Sequence, residues 1–136
     1  MAIFQNKSEQ SDDVGAGGLQ WITERHVACV FLLDTSGSMA DDNAIGKLNE
    51  GLRVFKSQTV NDSTFDEHTK ACIDVALISF GPTVILQQDF VPVSSMNPPV
   101  LTAGGGTPMG GALNMALDII TAQKARYNEL GTPYFR

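Results

Sequence analysis

Cysteine is scarce in this chain. There are two among 136 residues and no Cys-x-x-Cys pair, which leaves no frame for a zinc ribbon or a disulfide-stapled scaffold. Positive charge is also short: nine Lys and Arg stand against fifteen Asp and Glu, a net charge of −6. A broad phosphate-binding face needs the opposite balance, so nucleic acid is not an expected partner. No apolar run approaches the roughly 20 residues that span a bilayer. The stretch Met1 to Glu24 lacks a basic region followed by an apolar core, so it does not read as a secretory signal, and a cytoplasmic protein with no membrane partner is expected. No repeat is evident, and the length allows one domain at most.

Against these absences stands a composition with 43% apolar residues and 18% charged, that of an ordinary globular domain. Val27 to Leu33 is a continuous apolar run, as in a strand covered on both faces. Ile45, Leu48, Leu52 and Phe55 recur at helical spacing, with Asp41, Asp42 and Asn43 ahead of them as candidate caps. Ile73 to Phe80 reads as a second strand. Gly81-Pro82 turns the chain into a third, Val84 to Val91, and so short a link makes that pair antiparallel. Val93 to Thr102, with Pro98-Pro99, reads as irregular. Ala112 to Ala125 reads as a second helix with Leu113, Leu117 and Ile120 on one face, Thr107-Pro108 supplying an N-cap and a first-turn proline. Tyr127 to Pro133 reads as loop. Residues 1–25 read as a loose segment with Trp21 as its anchor. His26 and His68 read as surface or loop residues, and Cys29 and Cys72 as buried reduced thiols within strands. Alternating strands and helices imply an α/β sandwich.

The stretch with most chemistry in it is Asp34-Thr35-Ser36-Gly37-Ser38. A carboxylate and two hydroxyls at alternate positions leave the carboxyl end of an apolar strand. In an open α/β sheet that end is where ligands sit. Alternate residues of an extended loop point the same way, and the oxygens suit a hard cation. A polar turn bonding its own backbone is the plain alternative.

Asp34-x-Ser36-x-Ser38 resembles the metal-ion-dependent adhesion site of von Willebrand factor A domains. Thr102-Ala103-Gly104-Gly105-Gly106-Thr107-Pro108-Met109-Gly110 is similar to that family's second loop. With Ser79-Phe80-Gly81-Pro82, the wording is closest to TerY-like bacterial proteins of tellurite resistance and stress response. The resemblance implies a Rossmann-like, three-layer sandwich with a mostly parallel sheet and an antiparallel edge strand. Residues 26–136 would be its N-terminal part. It implies a divalent metal, Mg²⁺ or Mn²⁺, held by Asp34, Ser36, Ser38 and Thr107. Gly104 to Gly106 would supply backbone freedom. The open position of the metal would take a carboxylate from a protein partner; kinases, phosphatases or ATPase machines are the partners the analogy suggests.

The family's later strand ends in Thr-Asp-Gly, whose aspartate completes the site, and that triplet does not occur here. The expectation is a truncated domain whose site, short of a carboxylate, holds Mg²⁺ weakly. The three strands also suggest a bare edge on the first, to be covered by further chain or by another molecule. Catalysis is not expected. An aspartic protease needs Asp-Thr-Gly twice, and Ser36 interrupts the one near-match. A strand-end phosphatase needs an acid where Ser36 stands. The glycines at 104–111 lack the lysine of a phosphate loop, and neither serine sits in Gly-x-Ser-x-Gly. The alternatives to a binding module are a metal-dependent hydrolase using Asp34 and a structural fragment with a vestigial site.

Overall fold

The computed structural model describes residues 24–64 and 66–136. The elements run β1 (Val27–Asp34), a 3₁₀ turn (Gly37–Asn43), α1 (Ala44–Asn61), α2 (Glu67–Ala71), β2 (Ile73–Phe80), β3 (Val84–Pro92), a second 3₁₀ turn (Val93–Ser95) and α3 (Met109–Leu130). The anchor expected at Trp21, and nearly all of the loose segment over 1–25, lie outside the described residues.

The sheet has order β1-β2-β3. β1 runs parallel to β2, with Val27 opposite Ile73 and Asp34 opposite Phe80. β3 returns antiparallel through the Gly81-Pro82 turn. The parallel pair needs a crossover, which α1 and α2 provide. This is the mixed sheet, with its antiparallel edge strand, that the sequence led us to expect.

Period-two alternation sends the strands' side chains into two cores. On one face Leu33, Val75 and Leu77 meet Leu52 of α1 and Val93, Met96 and Leu101 of the irregular segment, with Ile45 and Leu48 packed alongside. On the other, Ile78 and Phe80 meet Ala112 and Ala116 of α3, with Val30, Val84, Met115 and Ile119 around them. The result is three layers, helix on sheet on helix.

Several sequence-based expectations are corrected. The α1 stripe packs on the sheet through buried Leu52 and partly buried Ile45 and Leu48, with Phe55 exposed at its edge, but Asp41, Asp42 and Asn43 form a kinked 3₁₀ turn and no side chain caps the helix. Asp42 and Asn43 are left-handed, at φ 51° and 57°, a conformation short polar side chains tolerate best. The stripe Leu113, Leu117, Ile120 on α3 is not the one against the sheet. Leu113 and Leu117 are exposed, and Ala112 and Ala116 are buried in their place, because methyl-sized side chains let the helix axis approach the strands. α3 also begins earlier and runs later than expected, taking in Tyr127, and ends on Gly131 at φ 69°, a common left-handed stop. Thr107 is not its N-cap; Pro108 holds that position, and no side chain caps it. Cys72 lies one residue before β2, at the C-terminal end of α2, whose N-terminus Asp66 caps by accepting the Thr69 N–H. Both thiols are free.

His26 is buried rather than on the surface. Its Nδ1 lies 2.9 Å from Asp74 Oδ2, an oxygen that also accepts from the Tyr127 hydroxyl. The network joins the start of β1, the start of β2 and the end of α3. Tyr134 stacks on Tyr127 with ring centroids 5.4 Å apart.

Candidate metal-binding loop at the carboxyl end of the sheet

β1 ends at Asp34, but its pairing with β2 continues one step: Thr35 N–H donates to the Phe80 carbonyl at 2.8 Å. The chain then turns. Asp34 Oδ1 accepts the Ser36 N–H at 2.8 Å, the short-range turn bond aspartate favours. That bond occupies one oxygen of the carboxylate and orients the other.

The two hydroxyls meet in the same turn. Ser36 Oγ and Ser38 Oγ are 3.3 Å apart. Neighbouring oxygens on an octahedral ion with 2.0–2.1 Å bonds are separated by about 2.9 Å, so the pair is near ligand spacing without rearrangement of the backbone. Thr35 and Ser36 are buried, while Ser38 is exposed, which gives the turn an inner wall and an open side.

The second loop is fastened to the first by its backbone. Gly104 N–H donates to the Thr35 carbonyl at 2.8 Å, and Gly37 N–H donates to the Gly105 carbonyl at 3.0 Å. Glycine is required where the loops converge. A Cβ on Gly105, at φ +75°, would fall 2.4 Å from Pro82 Cα. A Cβ on Gly81 would lie 2.3 Å from Thr35 Oγ1 and 2.9 Å from the carbonyls of Thr35 and Gly104. Thr107 follows on the exposed part of this loop, and its carbonyl accepts the Met109 N–H at 2.7 Å. Asp34, Ser36 and Ser38 are thus drawn together directly. Thr107 lies two residues past Gly105, the point where this loop is bonded to the Asp34 turn.

The approach to the loop is braced by a residue the sequence did not single out. Asn49 of α1 donates from Nδ2 to the Leu101 carbonyl and accepts the Leu101 N–H at Oδ1, both at 2.8 Å. A side-chain amide beside the apolar positions Leu48 and Leu52 was the available signal. Gly81 was legible as a turn, but not as the contact between the two loops.

The donor set is one carboxylate and hydroxyls. Among the described residues no three His, Cys, Asp or Glu side chains gather around a point. Such oxygens suit Mg²⁺ or Mn²⁺ over softer ions, and a lone carboxylate makes the fit a weak one. Asp41 and Asp42 follow the turn and are exposed. No described helix is long and apolar enough to cross a membrane.

No family profile matches the chain, and no curated protein matches it. Solved structures do. The von Willebrand factor domain of the type V pili tip protein Mfa5 from Porphyromonas gingivalis superposes with a TM-score of 0.53 at 21% identity, over 71% of this chain and 33% of that one. A structure of the three N-terminal domains of the same pilus protein gives 0.50 at 22% identity, over 72% of this chain and 18% of that one. The chain therefore spans about a third of the first structure's length and less than a fifth of the second's. Identity at this level speaks to the backbone alone. The described residues have the α/β architecture of a von Willebrand factor A domain over the part of it that they span.

Proposed function

We propose that this chain is a protein-binding module whose Asp34-x-Ser36-x-Ser38 turn holds a divalent cation, Mg²⁺ or Mn²⁺. The observation carrying the reading is the pair of serine hydroxyls 3.3 Å apart beside a carboxylate, at the strand end where α/β sheets bind ligands. Ser36 and Ser38 give neutral oxygens to the ion. Asp34 supplies the charge, directly or through a water. Thr107 adds a hydroxyl from the neighbouring loop. The cation keeps positions that water fills and that a partner's carboxylate displaces, since a hard ion gains most from a charged oxygen.

Binding is favoured over hydrolysis because the bonded groups around Asp34 in the turn are hydroxyls and backbone, with no second acid or base joined to them. A von Willebrand factor architecture supports an interaction role by analogy. The TerY-like wording of the loops adds a bacterial stress-response setting, tellurite resistance included. With it come a cytoplasmic location and kinase, phosphatase or ATPase components as partner classes.

The test is calorimetric titration of Mn²⁺ and Mg²⁺ into the protein and into Asp34→Ala and Ser36→Ala. Weak binding that both substitutions abolish, with the folded state retained in the absence of metal, is the expected result. Unaltered binding in Asp34→Ala removes the turn from the site. Turnover of peptide or phosphate-ester substrates that depends on metal and on Asp34 establishes the hydrolase reading instead.

A further inference from the structure

A groove of about 370 Å³ runs between α1 and the segment that follows β3. That segment is pinned at both ends. Lys56 Nζ donates to the Met96 carbonyl and the Asn97 N–H donates to Gln88 Oε1 at 2.8 Å, while Asn49 grips the Leu101 backbone. Between the pins stand Pro98, Pro99 and Val100. The two prolines have no N–H to give to the helix, and each disfavours a helical conformation in the residue before it. The chain leaves Met96 extended, at φ −59° and ψ 133°, and continues as a stiff wall without regular structure.

The two walls differ in chemistry. Asn49, Arg53 and Lys56, four and three residues apart, set one face of α1 along the groove, and Pro98, Pro99 and Val100 form its apolar side. Val100 is 86% exposed, more than any other large apolar side chain among the described residues. Arg53 pairs with Glu50, three residues back and exposed like itself. An exposed pair of that kind holds weakly, so a better-placed carboxylate can displace Glu50. Lys56 gives one N–H to Met96 and has two more to offer. The positive charge is local. α1 has Lys47, Arg53 and Lys56 against Glu50 alone, in a chain whose net charge is −6.

We infer that this groove binds an acidic peptide in extended form, with an apolar side chain against Pro98–Val100 and a nearby carboxylate on the Arg53 guanidinium. A guanidinium presents a planar fork that matches a carboxylate, and Lys56, one turn along the helix, adds charge of the same sign. The prolines offer a surface that is already ordered, so the protein gives up little freedom on binding. The volume lies at the small end of ligand clefts. It has room for a few residues of extended chain and not for a helix about 10–12 Å across. Nucleic acid fits poorly, because the cations are confined to α1 while the chain as a whole is acidic. None of Asp34, Ser36, Ser38 and Thr107 lines the groove, so this surface is separate from the metal turn and stands whether or not the turn holds an ion.

Random heptapeptides displayed on phage, selected on the protein and counter-selected on Arg53→Glu, test the assignment. Enriched sequences are expected to combine Asp or Glu with an apolar residue. An enriched peptide, made synthetically with a fluorescein label and followed by anisotropy, should bind Arg53→Glu at least about tenfold more weakly. It should also lose affinity in Val100→Ser and at raised salt. Amide shifts on the wild-type protein should concentrate at Arg53, Lys56 and Val100. Both substituted side chains are exposed, and thermal melting verifies that the variants are folded. The absence of enrichment over an unrelated protein overturns the proposal, as do enriched sequences without an acid and equal affinity in Arg53→Glu. An equal loss in Lys124→Glu, on α3, overturns it too, since that reports overall charge and not the groove. Unchanged affinity in Val100→Ser overturns the apolar half.

Discussion

Asn49 grips the backbone of Leu101 at both its N–H and its carbonyl, across 52 positions of sequence. One side-chain amide on α1 thereby stands in for a strand neighbour and fixes where the chain enters the second site loop. Asn49→Ala leaves both Leu101 groups without these partners at a buried residue, at a cost of about 1–3 kcal/mol. Urea denaturation should show that loss. Any metal affinity should fall along with it, since the loop carrying Thr107 is released. An Asn49→Ala protein with wild-type stability would mean water replaces the clamp at no cost.

Gly81 is the point where the turn after β2 touches both site loops. Gly81→Ala puts a methyl group against Thr35 and the Gly104 carbonyl. Two of those neighbours are backbone and cannot swing aside, so crowding should cost about 1–3 kcal/mol. Chemical-shift changes should concentrate at Thr35 to Ser38 and Gly104 to Thr107, leaving the His26 end undisturbed. Changes spread evenly over the sheet would show that the strain is absorbed elsewhere.

The Tyr127 phenol is pushed well above its ordinary ionisation range, first by burial and then by its bond to Asp74. A group with a raised folded value binds its proton more tightly when folded. Its contribution is complete below about pH 10, where the unfolded phenol ionises, and is lost as pH climbs toward the folded value. Stability should therefore decline above about pH 10, and Tyr127→Phe should flatten that decline. The same substitution removes one donor to buried Asp74 and should cost about 1–3 kcal/mol near neutrality. Absorbance titration at 295 nm checks the phenol itself: Tyr127 should remain un-ionised while an ordinary tyrosine titrates.

Much of this was readable in advance for a local reason. Val27 to Leu33 is an unbroken apolar run, Ile73 to Phe80 is apolar except at Asp74 and Ser79, and Ile45, Leu48, Leu52 and Phe55 keep a helical period. Each signal lies inside the element it specifies. The Asp34 turn is similarly local, because its oxygens are two residues apart and the strand ahead of them sets their direction. The short helix Glu67–Ala71 went unread, since five residues are too few to display a period.

By itself, then, the sequence determined which segments become strands and helices, their order, and the placing of a carboxylate and two hydroxyls at a strand end. Periodicity and turn chemistry act over a few residues and leave their mark there. The tertiary structure alone decided which face of α3 is buried, because Ala112 and Ala116 win that place only once the sheet beneath them exists. It also decided that His26, Asp74 and Tyr127 share one buried carboxylate, and that the Gly104–Gly105 backbone fastens onto the Asp34 turn. Those contacts join residues tens of positions apart, and no local pattern encodes a pairing that only the folded chain brings within reach.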